Sequence, residues 1–325
     1  MKTDSSFFCA FDAFVSEVSI LKQWRPATAA IYGSLRNHIK KCFTGTDTGF
    51  PDKGGIPELA RYLNGAAGVR NTTARKYLRA YRHFLGWTAT NRICRLSLSG
   101  TALPRLRIID RKVIFLEWEE LLKMYSYGFS QKEAHLAACR DVFCFCCFTS
   151  LRYSDAANLK HEDIWDDHIS IVTVKTSCPL RIELNKYSKA ILAKYSGINR
   201  RDGRALPVIS NQKMNKYLKI ISMRCGICEP VSFSYFKGSE RIDECRPKYE
   251  LISTHCARRT FICNALAMGI PPHIIMKWTG HKDYKVMRPY MDVTDTARSE
   301  AMGMFDRYDG RARTRTRTGA GGHNF

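Results

Sequence analysis

Apolar side chains recur at helical spacing from the start of the chain. Phe8, Phe11, Phe14, Val15, Val18 and Leu21 line one face of residues 5–21 and predict an amphipathic helix. Pro26 can open a second helix through Ile31, Leu35 and Ile39, because a proline in the first turn removes no hydrogen bond that the helix needs. Gly45, Gly49, Gly54 and Gly55 then break the pattern. A shorter third helix fits residues 56–63. A fourth starts near Asn71, read as its cap, and carries Tyr77, Tyr81, Phe84 and Leu85 on one face. Together they predict a small all-helical domain over residues 1–104.

Residues 101–114, TALPRLRIIDRKVI, hold a proline and four basic residues (Arg105, Arg107, Arg111, Lys112) without a helical period. An extended linker is therefore placed at 105–114, followed by a second domain over 115–310. A helix is expected from Glu117, with Trp118, Leu121, Leu122 and Tyr125 on its inner side. The run from Leu136 through Val142, Phe143 and Phe148 is apolar all round and must be buried. A polar turn follows at Thr149 to Arg152, and a short helix to Leu159 is read as capped near Ser154. HISIVTV (168–174) and LRIEL (180–184) alternate with period two, which predicts a hairpin with Lys175 near its tip. Residues 230–236 and 241–249 flank Lys237, Gly238 and Ser239 and fit either a second hairpin or a long loop. Helices are expected at 186–195, 213–224 and 296–305, and the last of these puts Ala297, Ala301, Met304 and Phe305 on one side. The tail RARTRTRTGAGGHNF (311–325) alternates arginine with small residues and has no apolar anchor, so it is expected to be disordered when free.

Charge narrows the partner. Fifty-two Lys and Arg against 30 Asp and Glu leave +22, with a pI near 9.6, which favours a large polyanion, nucleic acid foremost. Outward positions on the second helix (Arg36, Lys40, Lys41) and the fourth (Arg75, Lys76, Arg79, Arg82) suit phosphate contacts as a group. No apolar run reaches the roughly 18 residues of a membrane span, and the N-terminus lacks signal-peptide character, so a bacterial cytoplasmic location is expected. The 13 cysteines lie largely in apolar surroundings, as in FCFCC (143–147), and predict reduced core thiols rather than disulfides. Cys225, Cys228, Cys245 and Cys256 include one C-x-x-C but no second close pair. No structural metal and no cofactor are expected.

Residues 254–292 concentrate the candidate chemistry, with His255, Arg258, Arg259, His281 and Tyr290 in fewer than forty positions. Cleaving a phosphodiester with side chains alone takes a nucleophile, cations for the transition-state charge and an acid for the departing oxygen. Arginine suits the second task, because its planar fork meets two phosphate oxygens and stays charged. Arg152 and Arg258 are the two expected clamps. An unperturbed tyrosine titrates near 10, so attack by Tyr290 at neutral pH needs the nearby cations. Tyr284 is its rival. Arg259 reads as a structural or phosphate-backbone contact.

These residues resemble those of the tyrosine recombinases, or phage-type integrases. FTSLRYSDAANL looks like that family's first-arginine box, with Arg152 as the arginine and Asp155 at the acidic position; Lys175 after a strand is similar to its hairpin lysine. His255 and Arg258 match H-x-x-R, His281 follows a glycine, and Tyr290 matches the nucleophile. The boxes look most like those of Bacteroides-type integrases and invertases. Ser150 departs from the usual glycine before Leu-Arg, at a cost of roughly 1 kcal/mol if the turn needs a positive φ.

The resemblance implies a mainly α fold, with a SAM-like core-binding domain and a mostly helical catalytic domain holding a small β-hairpin sheet. It implies that Tyr290 forms a 3′-phosphotyrosyl bond, Lys175 protonates the leaving oxygen, His255 assists proton transfer, His281 hydrogen-bonds the phosphate and Asp155 orients a basic neighbour. The implied partner is double-stranded DNA, bound by a homo-tetramer on two sites with accessory DNA-bending proteins as further partners. Integration, excision and inversion all fit. The alternatives are an accessory DNA-binding protein that has lost the chemistry, and a type IB topoisomerase-like relaxing enzyme.

Overall fold

The computed structural model describes residues 7–43, 55–93, 102–198, 200 and 202–291. The helix expected at 296–305, the arginine-rich tail, and Gly45, Gly49 and Gly54 lie outside them. In chain order the helices are α1 (Phe7–Leu21), α2 (Pro26–Cys42), α3 (Ile56–Asn64), α4 (Asn71–Thr90), α5 (Trp118–Ser126), α6 (Ala134–Thr149) and α7 (Tyr153–Asn158). Strands β1 (His168–Val172) and β2 (Pro179–Glu183) follow, then α8 (Lys186–Ser196) and α9 (Asn211–Arg224). Strands β3 (Pro230–Lys237) and β4 (Glu240–Pro247) precede α10 (Lys248–Leu251), α11 (Thr254–Ala267), α12 (Pro272–Thr279) and α13 (Arg288–Met291). Among the described residues the fold is mainly helical, with two small two-stranded sheets. No described helix is long and apolar enough to cross a membrane.

The chain divides into two compact units. One is drawn from the residues up to Arg111 together with Ser232–Cys245, the other from Lys112–Val231 and from Arg246 onward. In the first, the apolar stripes of α1 to α4 meet in an aromatic core where Phe7, Phe11, Phe14, Tyr81 and Phe84 are all but fully buried. Phe84 takes Phe7 edge-on at 5.3 Å and Phe11 at 4.8 Å, geometries worth about 1 kcal/mol each beyond the area they bury. Asn71 is not the cap of α4. That position falls to Arg70, and Asn71, 1% exposed, turns its amide to tertiary partners instead. Its Nδ2 donates to Gly238 O (2.8 Å) and Arg107 O (2.9 Å), and its Oδ1 accepts from Gly238 N (2.7 Å). Gly238, at φ +58°, makes the tight turn of the β3–β4 hairpin, which resolves the choice between hairpin and loop. Beside it, the Arg70 guanidinium lies 3.7 Å over the Tyr235 ring, whose hydroxyl donates to Glu244 at 2.6 Å.

The second unit is built around α6, buried over almost its whole length, with α11 packed along it. Cys144, Cys146 and Cys147 sit in that core, where burial pushes their thiols well up, Cys146 to about 12, so they stay protonated. Strands β1 and β2 pair antiparallel, with Ile169 opposite Ile182 and Ile171 opposite Leu180 on the buried face. Helix α6 stops at Ser150, which takes the left-handed conformation at φ +64°, as the turn before Leu-Arg requires. The following helix begins at Tyr153 with Arg152, not Ser154, at the cap position. The left-handed turn is complete at Ser150, so only buried Leu151 and extended Arg152 are needed before the helix resumes.

Two substitutions check this account. Ser150 Oγ donates to Trp278 O at 2.9 Å, a gain comparable to the cost of its backbone conformation. Ser150→Gly should therefore change stability by less than about 0.5 kcal/mol, whereas Ser150→Ala keeps the strain, loses the bond and should cost about 1 kcal/mol in urea unfolding. Asn71→Ala leaves three part-buried backbone groups without their partner and should cost about 1–3 kcal/mol in the full chain. A loss below about 0.5 kcal/mol would show that water replaces the amide.

Candidate active site

Arg152 leaves the backbone between the Ser150 turn and α7, and Asp155 lies on the first turn of that helix, 4% exposed. Arg152 Nη1 is 3.7 Å from Asp155 Oδ2, while Asp155 Oδ1 accepts the Val174 N–H at 2.8 Å. The same carboxylate thus faces the arginine and holds the turn that carries Lys175. That turn is further fixed by a 2.7 Å bond between the Thr173 and Thr176 hydroxyls. Lys175 itself is exposed, and it forms no ion pair among the described residues.

Helix α11 places His255 and Arg258 three residues apart, on one face. Arg258 is 4% exposed and has no carboxylate partner among the described residues. Its Nη1 donates to Ser150 O (3.1 Å), and its Nη2 donates to Thr279 O and meets His281 Nε2 at 3.0 Å. Ser150 and Thr279 end α6 and α12, so the guanidinium sits at the negative poles of two helices. Burial, and then the charge of Arg152, bring its pKa down to about 9, which still leaves a cation at neutral pH. Because guanidinium can only donate, His281 Nε2 must accept; its proton sits on Nδ1, 3.1 Å from the Thr279 hydroxyl, which itself donates to Ile275 O. Burial, with Arg258 and Arg152 adding to it, lowers His281 to about 4 and keeps it neutral. His255 is exposed at one edge, yet desolvation and then the charges of Arg259, Arg258, Lys175 and Arg152 lower its pKa too.

Tyr290 stands on α13, half-buried against the cluster of Ile262, Leu266, Ile275 and Met287. Burial raises its pKa, Arg259 and Arg258 pull it down, and the balance leaves a protonated phenol. Its hydroxyl has no hydrogen bond among the described residues, and its rival Tyr284 is 53% exposed on a separate short turn.

A cavity of about 250 Å³ is lined by Arg152, Lys175, His255 and Arg258, together with Tyr153, Ser154, Asn211 and Thr254. Four of the six expected catalytic residues therefore share one small basic pocket. His281 adjoins it through Arg258, and Tyr290 does not line it. Thr254 could have been suspected as the neighbour of His255; nothing in the sequence pattern singled out Asn211. A larger cavity of about 400 Å³, walled by Trp118, Phe148, Tyr187, Phe261 and Trp278, is apolar and holds none of these groups. Among the described residues no three His, Cys, Asp or Glu side chains converge to hold a metal.

On the first unit, Lys40, Arg75, Lys76, Arg79 and Arg82 are exposed, and the four on α4 make no ion pair among the described residues. Arg36 differs. Its guanidinium makes a two-point pair with Asp12 (2.7 and 2.8 Å) over the Phe8 ring, so a phosphate would have to compete with a carboxylate for it.

Residues 115–297, more than half of the chain, match the phage integrase family. The chain belongs to that family. Solved structures of the tyrosine recombinases share its fold. A lambda integrase (75-356) dimer bound to a COC′ core site aligns at TM-score 0.66 and 16% identity, covering 89% of this chain and 96% of that one. The Tn1549 transposon integrase in complex with transposon right end DNA aligns at 0.59 and 12%, covering 92% and 98%. XerH recombinase bound to a palindromic difH substrate, a post-cleavage complex, aligns at 0.59 and 14%, covering 86% and 78%. No curated protein sequence matches the chain. None of these likenesses bears on a nearer kinship with Bacteroides-type members.

The His281 environment makes a pH prediction. A base whose pKa falls from 6.5 to about 4 on folding binds its proton more tightly in the unfolded chain. Its contribution is complete above pH 6.5 and is lost as pH drops through 4; for this half-buried ring, solvent screening reduces it to about 1–2 kcal/mol. In urea unfolding, His281→Asn should lose less stability than the parent between neutral pH and pH 4; parallel losses would contradict the assignment.

Proposed function

We propose that this chain is a site-specific tyrosine recombinase that cuts and rejoins double-stranded DNA through a 3′-phosphotyrosyl intermediate. The observation that carries the reading is the convergence of Arg152, Lys175, His255 and Arg258 on one small pocket, with Asp155 the acid nearest to it. Such a pocket favours an anion of phosphate size, and two arginines offer the donors that a pentavalent phosphorus needs.

In this mechanism Tyr290 Oη bonds to phosphorus as the bond from phosphorus to O5′ breaks. The phenolic proton passes to His255, which is a neutral acceptor in the free chain, and Lys175 gives a proton to O5′. Phosphate oxygens compete with Ser150 O and Thr279 O for Arg258. Their negative charge raises the His281 pKa, so that the imidazole becomes a donor to the phosphate at Nε2. A 5′-hydroxyl from a second strand reverses the step and needs no nucleotide cofactor. Arg259, Lys40 and the α4 face of Arg75, Lys76, Arg79 and Arg82 would meet flanking phosphates, with Arg36 joining them only on release from Asp12. Four copies on two sites are proposed by likeness to the lambda integrase tetramer bound to a Holliday junction. Integration, excision and inversion of DNA all use this chemistry, and DNA-bending partners would serve the assembly.

The test uses duplexes from the DNA flanking the gene, nicked so that the cleaved strand diffuses away. Parent protein should form an SDS-resistant adduct. Tyr290→Phe should form none while binding within about twofold, since it removes one hydroxyl and no charge. Lys175→Ala should slow adduct formation by at least about 100-fold on ordinary DNA, yet react near the parent rate when the bridging O5′ is sulfur, which leaves without a proton. An adduct that survives Tyr290→Phe would assign the nucleophile elsewhere.

A further inference from the structure

We infer that Asn211 is a phosphate-binding residue of this site, with its amide held donor-outward by a relay from the backbone of the histidine motif. The assignment rests on the reading of the pocket as a DNA phosphate site.

The argument turns on which end of each amide faces which partner. The Thr254 N–H, immediately before His255, can only donate, and its partner at 2.9 Å is Asn215 Oδ1. That fixes the Asn215 amide with Nδ2 on its other side, where it donates to Asn211 Oδ1. The Thr254 hydroxyl, 3.5 Å away, also faces Asn211 Oδ1. The oxygen of Asn211 is therefore occupied, and both hydrogens of its Nδ2 are left without a partner among the described residues. One unambiguous backbone donor sets the whole chain, so the orientation does not depend on telling nitrogen from oxygen.

Position supplies the second half. Asn211 begins α9, is exposed, and lines the pocket beside Arg152, Lys175, His255 and Arg258. An amide whose acceptor is engaged, in a pocket lined by four basic side chains, has no acceptor to offer them. It is complementary to an anion held among them. Unlike the arginines it adds no charge, so it contributes direction and not long-range attraction: it restricts where a phosphate oxygen settles. Asn215 and Thr254 then act as positioning residues, through Asn211.

The experiment measures single-turnover adduct formation on the nicked duplex with the full-length protein. Parent, Asn211→Ala and Asn215→Ala are compared on DNA in which each phosphate around the cut is replaced in turn by a neutral methylphosphonate. Asn211→Ala is expected to react about tenfold more slowly, the scale of a lost hydrogen bond to a charged group, with melting temperature and the salt dependence of binding unchanged. Its defect should vanish on one methylphosphonate duplex, because the partner oxygen there carries no charge. Asn215→Ala should show part of the same defect on the same phosphate. A rate within twofold of parent, or a defect equal on every duplex, overturns the proposal. If the parent protein forms no adduct at all, the recombinase reading fails separately, and the Asn211 contact is judged by affinity for the same duplexes. A roughly tenfold weaker Asn211→Ala complex with unchanged salt slope supports it, and equal affinity overturns it.

Discussion

The buried guanidinium of Arg258 holds one end of the second unit together. Taking a guanidinium out of water costs several kcal/mol, and among the described residues no carboxylate binds it to offset that cost. Two carbonyls at helix ends and one imidazole do so instead, each charge-assisted bond contributing on the order of 1.5–3 kcal/mol. The side chain thereby joins the ends of α6 and α12 to α11 and dictates the tautomer of His281. Its positive charge is solvated by dipoles without being cancelled, and for that reason the pocket retains a field for an incoming anion.

That arrangement explains the chemistry of its neighbours. A carboxylate bonded to Arg258 would have cancelled that charge and opposed any anion entering the pocket. Asp155 is instead set back against Arg152 and a backbone amide. His255 and His281 stay neutral beside the arginines, and Tyr290 stays protonated. Ser150 belongs to the same frame: its carbonyl serves Arg258 and its hydroxyl holds Trp278, which makes a left-handed serine tolerable where glycine would be easier.

Local patterns carried much of this fold in legible form. The apolar run of α6, the alternation of β1 and β2 and the aromatic spacing of α1 and α4 each announce an element whose partner is the core. The same holds for H-x-x-R, whose spacing puts two side chains on one helical face. What could not be read depends on contacts across long stretches of chain. Asn71 looks like a cap from its neighbours, but its amide is taken by a turn 167 residues away. Arg36 looks free until Asp12, on another helix, is beside it. Asn211 acquires meaning only when α9 meets the start of α11. In each case a polar side chain had several local uses, and tertiary packing selected one.

The Asp155 carboxylate has a mechanical consequence. It touches the arginine on one side and the lysine's turn on the other, and it is itself buried in the unit's interior. Arg152 and Lys175 are therefore mounted on a common part. Rooted in α7, the buried carboxylate tethers the exposed hairpin turn through the Val174 N–H, so the interior and not the turn itself sets where the lysine's backbone stands relative to the arginine.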